Sequence, residues 1–176
     1  MTPFAKLSAA AAGKSLRFLV IGGHAVIEHG FQRATEDADI LVSKNDRDRW
    51  LQLAAELGYR PFHDGGNFIQ LKSDNPSDWD LDFMLVSAET FERLIAAARN
   101  SQVEGAAVMF PSLEHLLALK LHALKHGRGL RVLKDITDVA QLIAANGVDS
   151  NSAWLRSLFE KHCNLETYER VLKLLR

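Results

Sequence analysis

Four aspartates stand out in the 176-residue chain because they come as two pairs, Asp37 with Asp39 and Asp80 with Asp82, each split by one apolar residue. In a strand, period two puts both acids of a pair on one face, with Cα atoms roughly 6.6 Å apart. Ala38, Ile40 and Val42 then point the other way, towards a core, as do Leu81 and Phe83 in the second pair. Two acids on one strand face repel each other and form strands poorly. A single pair is accommodated by a solvent-exposed sheet face. Two neighbouring pairs are different, because three or four converging carboxylates are costly unless divalent cations neutralise them. Hard oxygen ligands in that number suit Mg²⁺ or Mn²⁺, typically as two ions about 3.5–4 Å apart, an arrangement that serves in-line displacement at phosphorus.

Two further features fit phosphate chemistry. The apolar run Leu16 to Ile21 reads as a buried strand and ends in Gly22-Gly23, after which a short helix is expected. Without a Cβ, the backbone N–H groups of such a turn can approach a polyphosphate, although a Gly-Gly after a strand is more often only a tight turn. Downstream, Leu113, Leu116, Leu117, Leu121 and Leu124 form one helical stripe, and Lys120 falls inside it. A lysine there must snorkel, or meet a buried acid or a phosphate. No GxxxxGK[ST] occurs, which excludes a P-loop enzyme.

The elements that must position these groups fall into two halves. Thr2-Pro3 starts a helix, with Thr2 as N-cap. Strands are expected at 16–21, 37–42, 67–71, 79–86 and 104–110, interleaved with helices at about 24–31, 45–58 and 88–99. From Ser112 onwards only helical stretches remain, separated by Gly, Asn and Ser signals. The fold class is therefore α/β (α+β), a mixed sheet with flanking helices plus a C-terminal helical unit, divided at Pro111 into residues 1–110 and 111–176.

Taken together, Gly22-Gly23-His24-Ala25, His29-Gly30, Arg33, Thr35 and Asp37-x-Asp39-Ile-Leu-Val resemble the signature of minimal nucleotidyltransferases of the DNA polymerase β-like superfamily. The Arg-x-Thr-x-Asp-x-Asp form is most similar to the AbiEii-type toxins of abortive-infection, type IV toxin–antitoxin systems. The helical half matches more loosely, through Pro111-Ser112-x-Glu114-x-Leu116-Leu117 with Lys120, and through Lys134-Asp135-x-x-Asp138. The resemblance implies a nucleotidyltransferase-like fold in which Asp37 and Asp39 hold Mg²⁺ or Mn²⁺ on an NTP. A third acid, Asp82 in preference to Asp80, would complete the metal site and activate an acceptor hydroxyl. Gly22, Gly23, Arg33 and Thr35 would contact the nucleotide, Lys120 would grip its triphosphate, and Lys134 and Asp135 would lie beside it. The acceptor would be a tRNA end or a protein, with a cognate antitoxin as a further partner. Many relatives carry Gly-Ser where this chain has Gly-Gly. Two other readings compete: an antibiotic or other small-molecule nucleotidyltransferase, and a non-catalytic binding protein that keeps the fold.

Other residues carry blander expectations. Lys134 and Asp138 read as a surface i,i+4 pair. Arg128, Arg131 and Lys134, following Lys125-His126, read first as a solvated helix face and second as a contact for an RNA acceptor. His24 and His29 lie near the glycine turn, where packing or capping competes with orienting substrate. His122 and His126 lack a third ligand for zinc, and Cys163 reads as a semi-buried thiol.

Composition supports a folded globular chain, with 47% hydrophobic and 24% charged residues. The net charge is −1, so any contact with nucleic acid must come from a local patch. The single cysteine points to a reducing cytoplasm, the alanine-rich start is broken by Lys14 and Arg17 as a signal peptide would not be, and no apolar run is long enough to span a membrane.

Overall fold

Apolar residues at helical spacing open the chain. In the computed structural model, which describes residues 3–175, Pro3–Ala12 forms α1 and buries Phe4, Leu7 and Ala11 along one stripe. The expected cap, Thr2, lies outside the described residues. The chain divides into two compact units, one made of Ala34–Ser112 with the chain up to Ala25, the other of Val26–Arg33 with the chain from Leu113 onwards.

The first unit is built on a five-stranded mixed sheet. Its strands are β1 (Leu19–Val20), β2 (Ala38–Ser43), β3 (Tyr59–Asp64), β4 (Phe68–Ser73) and β5 (Leu81–Val86), in the order β1-β2-β5-β4-β3. Only β2 and β5 run parallel. A parallel pair needs a crossover, and here α3 (Arg47–Glu56) and the β3–β4 hairpin supply the intervening chain. The first expected strand, 16–21, narrows to β1. Its flanks Leu16, Phe18 and Ile21 are buried, but the ladder to β2 runs only through Leu19 and Val20.

Trp50 of α3 sets the core on one sheet face, 6.0 Å from the Phe83 ring and 5.7 Å from the Phe18 ring. Ile40, the register partner of Phe83, lies there too. Leu41, on the opposite face of β2, is equally buried. Apolar packing therefore covers both faces of β2 beyond its first residues. Helix α2 (Gly22–Glu28) follows β1, and α4 (Ala88–Ala96) starts at an N-cap in which Ser87 Oγ accepts from the Thr90 N–H at 3.2 Å. A separate hairpin, β6 (Arg99–Val103) with β7 (Ala106–Phe110), completes the unit.

In the second unit, α5 (Leu113–His126), α6 (Leu130–Ala145), α7 (Ala153–His162) and α8 (Leu165–Leu174) pack with the 26–33 segment. Side-chain caps fix two starts: Ser152 Oγ accepts from Leu155 N at 3.2 Å, and Asn164 Oδ1 from Thr167 N at 2.8 Å. Asn146 of the α6–α7 connection donates to the His29 carbonyl at 2.8 Å, which ties the segment in place.

Candidate active site

Strand register builds the acidic site. The parallel pairing of β2 with β5 sets Asp39 directly opposite Asp82, and the antiparallel pairing of β4 with β5 sets Gln70 opposite Asp82 on the other side. Opposed residues in a sheet share a face, so Asp39, Asp82 and Gln70 form one row across three strands. Gln70 Nε2 donates to Asp82 Oδ2 at 3.4 Å. All three side chains are half-buried. Asp37 and Asp80 flank this row. Asp37 is exposed and lies one residue before β2, a correction to the expected strand start. Asp80 is half-buried just before β5, and its carbonyl accepts from the Ala38 N–H at 2.9 Å, which prolongs the parallel ladder.

The glycine turn is locked to the same row. Gly22 has φ +62°, and a Cβ there would overlap the Asp39 carboxylate and lie 2.7 Å from Asp39 Cβ. The Ile21 N–H donates to the Asp39 carbonyl at 3.0 Å. Glycine at 22 is thus required by the approach of Asp39 as well as by backbone conformation. Gly23 is buried as the second residue of α2. His24 packs between aromatic rings, 4.9 Å from Phe4 and 5.0 Å from Trp79, as the packing expectation has it. Near Asp80, burial, with the charges of Asp78 and Asp80 adding to it, pushes the Tyr59 hydroxyl up to about 12.

Asp39 and Asp82 could hold a divalent cation. They are hard oxygen donors on one face, and the missing Cβ of Gly22 leaves the space the Asp39 carboxylate occupies. Among the described residues, no group of three or more His, Cys, Asp or Glu is gathered as a ready-made metal cage. The pair fits an ion whose shell is completed by substrate oxygens, as is usual for Mg²⁺.

The helical unit holds the second group of expected residues. Lys120 Nζ bonds Asp135 Oδ1 at 2.9 Å and Asp138 Oδ2 at 2.7 Å. Arg33 Nε lies 3.1 Å from Asp138 Oδ1, and Arg131 Nε 3.8 Å from Asp135 Oδ2. Of the outcomes open to a lysine in an apolar stripe, the structure shows the meeting with buried acids. Asp138 corrects the expected surface pair: it is 1% exposed and faces Lys120 and Arg33, whereas Lys134 is exposed. Thr35 is half-buried in the irregular stretch before β2.

Two features were not read from the sequence. Gln70 sits in NFIQL, where nothing marks it until the β4–β5 register is known. The burial of Asp135 had a signal in the spacing of Ile136, Val139, Leu142 and Ile143, whose apolar arc takes it in, whereas Asp138 lies just outside that arc.

The five-stranded mixed sheet with its flanking helices is the fold of the nucleotidyltransferases it resembles among solved structures. The profile of a family described as uncharacterised nucleotidyltransferases matches residues 25–175, and the chain belongs to that family. No curated protein matches the chain. Among solved structures it is similar to ANT(2")-Ia in complex with adenylyl-2"-tobramycin (TM-score 0.63, 17% identity, 89% of this chain and 94% of that one). It is also similar to the lincosamide antibiotic adenylyltransferase LnuA with bound lincomycin (TM-score 0.55, 16% identity, 77% and 90%). An antigenic nucleotidyltransferase-like protein from Paracoccidioides brasiliensis is similar too (TM-score 0.55, 16% identity, 96% and 90%). At these identities the likeness shows the fold. No helix among the described residues is long and apolar enough to cross a membrane.

Proposed function

We propose that the chain moves a nucleoside monophosphate from an NTP to an acceptor hydroxyl, with Asp39 and Asp82 as the central acids and Asp37 and Asp80 at their flanks. The observation that carries this reading is the register of Asp39 opposite Asp82, with Gly22 shaped around the Asp39 carboxylate. Asp39 and Asp82 would hold Mg²⁺ or Mn²⁺, with Asp37 at the exposed side. The chemistry a bound divalent cation supplies is neutralisation of triphosphate charge and a lowered pKa for a bound hydroxyl. Asp82 takes the proton as the acceptor oxygen forms its bond to the α-phosphorus. The bond from that phosphorus to the β-phosphate oxygen breaks, and pyrophosphate leaves with the electron pair. Gln70 orients Asp82 for this work by donating to its Oδ2. Gly22 and Gly23 let the backbone approach the phosphates, and Thr35 borders the same acids in sequence. Lys120 and Arg33, with Asp135 and Asp138, serve as positioning residues that order the helical unit, and Lys134 supplies exposed positive charge.

Two acceptor classes follow from different supports. The Arg33-x-Thr35-x-Asp37-x-Asp39 segment resembles type IV toxins, which favours a tRNA end or a protein and a toxin role with a cognate antitoxin. The likeness of the fold to ANT(2")-Ia and LnuA favours a small-molecule hydroxyl, such as an antibiotic's. Incubating the protein with each α-³²P-labelled NTP and Mg²⁺ or Mn²⁺, against tRNA, protein and aminoglycoside pools, separates them. Label retained on one pool identifies acceptor class and nucleotide together. No label on any pool, with pyrophosphate release absent, contradicts the reading.

A further inference from the structure

Between Glu114 and Asp135 the chain carries no acidic residue, although acids slightly outnumber Lys plus Arg overall. The turn between α5 and α6 concentrates this excess at the surface. Lys125, Arg128 and Lys134 are exposed there, and so is Arg131 beside Asp135. Two leucines stand among them, Leu130 at 83% and Leu133 at 57% exposure, with Leu174 the most exposed large hydrophobic side chains among the described residues. Leu130, Leu133 and Lys134 are spaced to share one helix face. At the head of that face, α6 begins at Gly129, which offers no side-chain cap, and its first turn contains no acid. The first N–H groups of α6 and its dipole therefore add positive potential to the same spot. His122 is held below the usual imidazole range by burial first, and then by the positive charges of His126 and Lys125.

We infer that this α5–α6 turn is a docking surface for an acidic, leucine-bearing protein segment in the form of an amphipathic helix. Two exposed leucines ringed by cations have the anatomy of a protein interface, with an apolar centre and a charged rim. Carboxylates on the partner would complement Arg128, Arg131, Lys134 and the uncapped start of α6. A single-stranded RNA fits less well. Its phosphates would meet the cations and its bases could stack on the exposed His122 and His126 rings, but Leu130 and Leu133 would stay in water. Only Lys134 is shared with the nucleotidyl-transfer reading, and the variants tested leave Lys134 and the acidic row unchanged, so the two are tested separately.

The test uses fluorescence anisotropy with three labelled probes. One is a short synthetic helix with leucines at i, i+3, i+4 spacing and glutamates elsewhere. The second is its leucine-to-serine analogue, and the third a uridine oligonucleotide. Each is titrated with the wild-type chain, Leu130→Ser/Leu133→Ser and Arg128→Glu. Thermal melts should show all three folded, since these exposed side chains make few packing contacts. The expected result is that the leucine–glutamate helix binds the wild type and loses about tenfold in affinity with either variant. The serine analogue should bind comparably weakly, and added salt should weaken all binding. Absence of binding by the leucine–glutamate helix, or binding that neither variant changes, overturns the inference. So does an oligonucleotide that binds more tightly than the helix and responds to Arg128→Glu but not to the leucine changes, because the surface would then be a polyanion site.

Discussion

The Asp39 side chain occupies the space that a side chain at Gly22 would need: a Cβ at Gly22 would overlap the Asp39 carboxylate and lie 2.7 Å from Asp39 Cβ. Rotating the Asp39 side chain can move the carboxylate but not its Cβ, so backbone must shift. Gly22→Ala should therefore destabilise the protein by about 1–3 kcal/mol through left-handed strain and the clash together. Transfer should fall further than stability explains. Removing the carboxylate with Asp39→Ala should not rescue folding of Gly22→Ala, because the Cβ conflict persists. Denaturant melts of the two single variants and the double variant check this.

Crowded acids predict the opposite sign for stability. Asp39→Asn should abolish transfer while leaving the melting temperature equal or higher, because one of several neighbouring negative charges is removed. An unfolded Asp39→Asn protein would make the acid structural. Between the third-acid candidates, the larger loss should come from Asp82→Asn, which stands in register with Asp39, and the smaller from Asp80→Asn.

Gln70 offers a graded version of the same test. Gln70→Ala removes the amide that bonds Asp82 and should lower kcat more than it weakens NTP binding. Gln70→Asn is too short to reach as well, whereas Gln70→Glu would add another carboxylate to the row and should depress activity further. Steady-state kinetics with NTP varied gives the split.

Lys120 carries a stability prediction. Lys120→Met would take from the buried Asp135 and Asp138 the ammonium they share, leaving Arg131 beside the first and Arg33 beside the second. Breaking a buried ion pair from one side typically costs about 3–5 kcal/mol, so the variant should unfold at markedly lower denaturant. The control Lys120→Arg keeps the charge and should recover part of the loss. Lys120→Met melting like the wild type would show that the buried acids do not depend on the lysine.

Tyr59 carries a pH prediction. Its hydroxyl is buried with no hydrogen-bond partner among the described residues, and burial, helped by the charges of Asp78 and Asp80, raises it from the ordinary 10.0 to about 12. A raised folded-state value means the folded protein binds the proton more tightly than the unfolded chain. Its stabilising contribution is complete below the unfolded value and is lost as pH rises from about 10 through about 12. Tyr59→Phe should flatten that alkaline loss and cost little at neutral pH, since it deletes an unsatisfied hydroxyl. Chemical denaturation at stepped alkaline pH compares the two.

Much of the site was legible in the chain because alternation is a strong signal: Asp39 with Leu41, and Asp82 with Met84, mark one strand face each. What alternation does not carry is which strands are neighbours. The contact of β2 with β5 depends on the crossover through α3 and the β3–β4 hairpin, and β3 itself has no pattern to read. Pro61 interrupts it, and only Tyr59 among its residues is buried. Strand β6, Arg99–Val103, is mostly polar as well and exists through pairing with β7. Asp138 misled because it lies at the edge of the apolar arc of α6, four residues from Lys134, where an i,i+4 surface pair is the ordinary expectation. Its burial is set by Lys120 and Arg33, residues distant in sequence.

If Asp39 and Asp82 act together in nucleotidyl transfer, neither acid can be neutralised without loss of turnover. Release of pyrophosphate and retention of α-³²P label on an acceptor should be measured for wild type, Asp39→Asn and Asp82→Asn, each confirmed folded by its melt. The wild type should transfer label in a divalent-dependent way, and both variants should lose that transfer. Label transfer at the wild-type rate in either folded variant would show that the Asp39–Asp82 pair is not the catalytic centre.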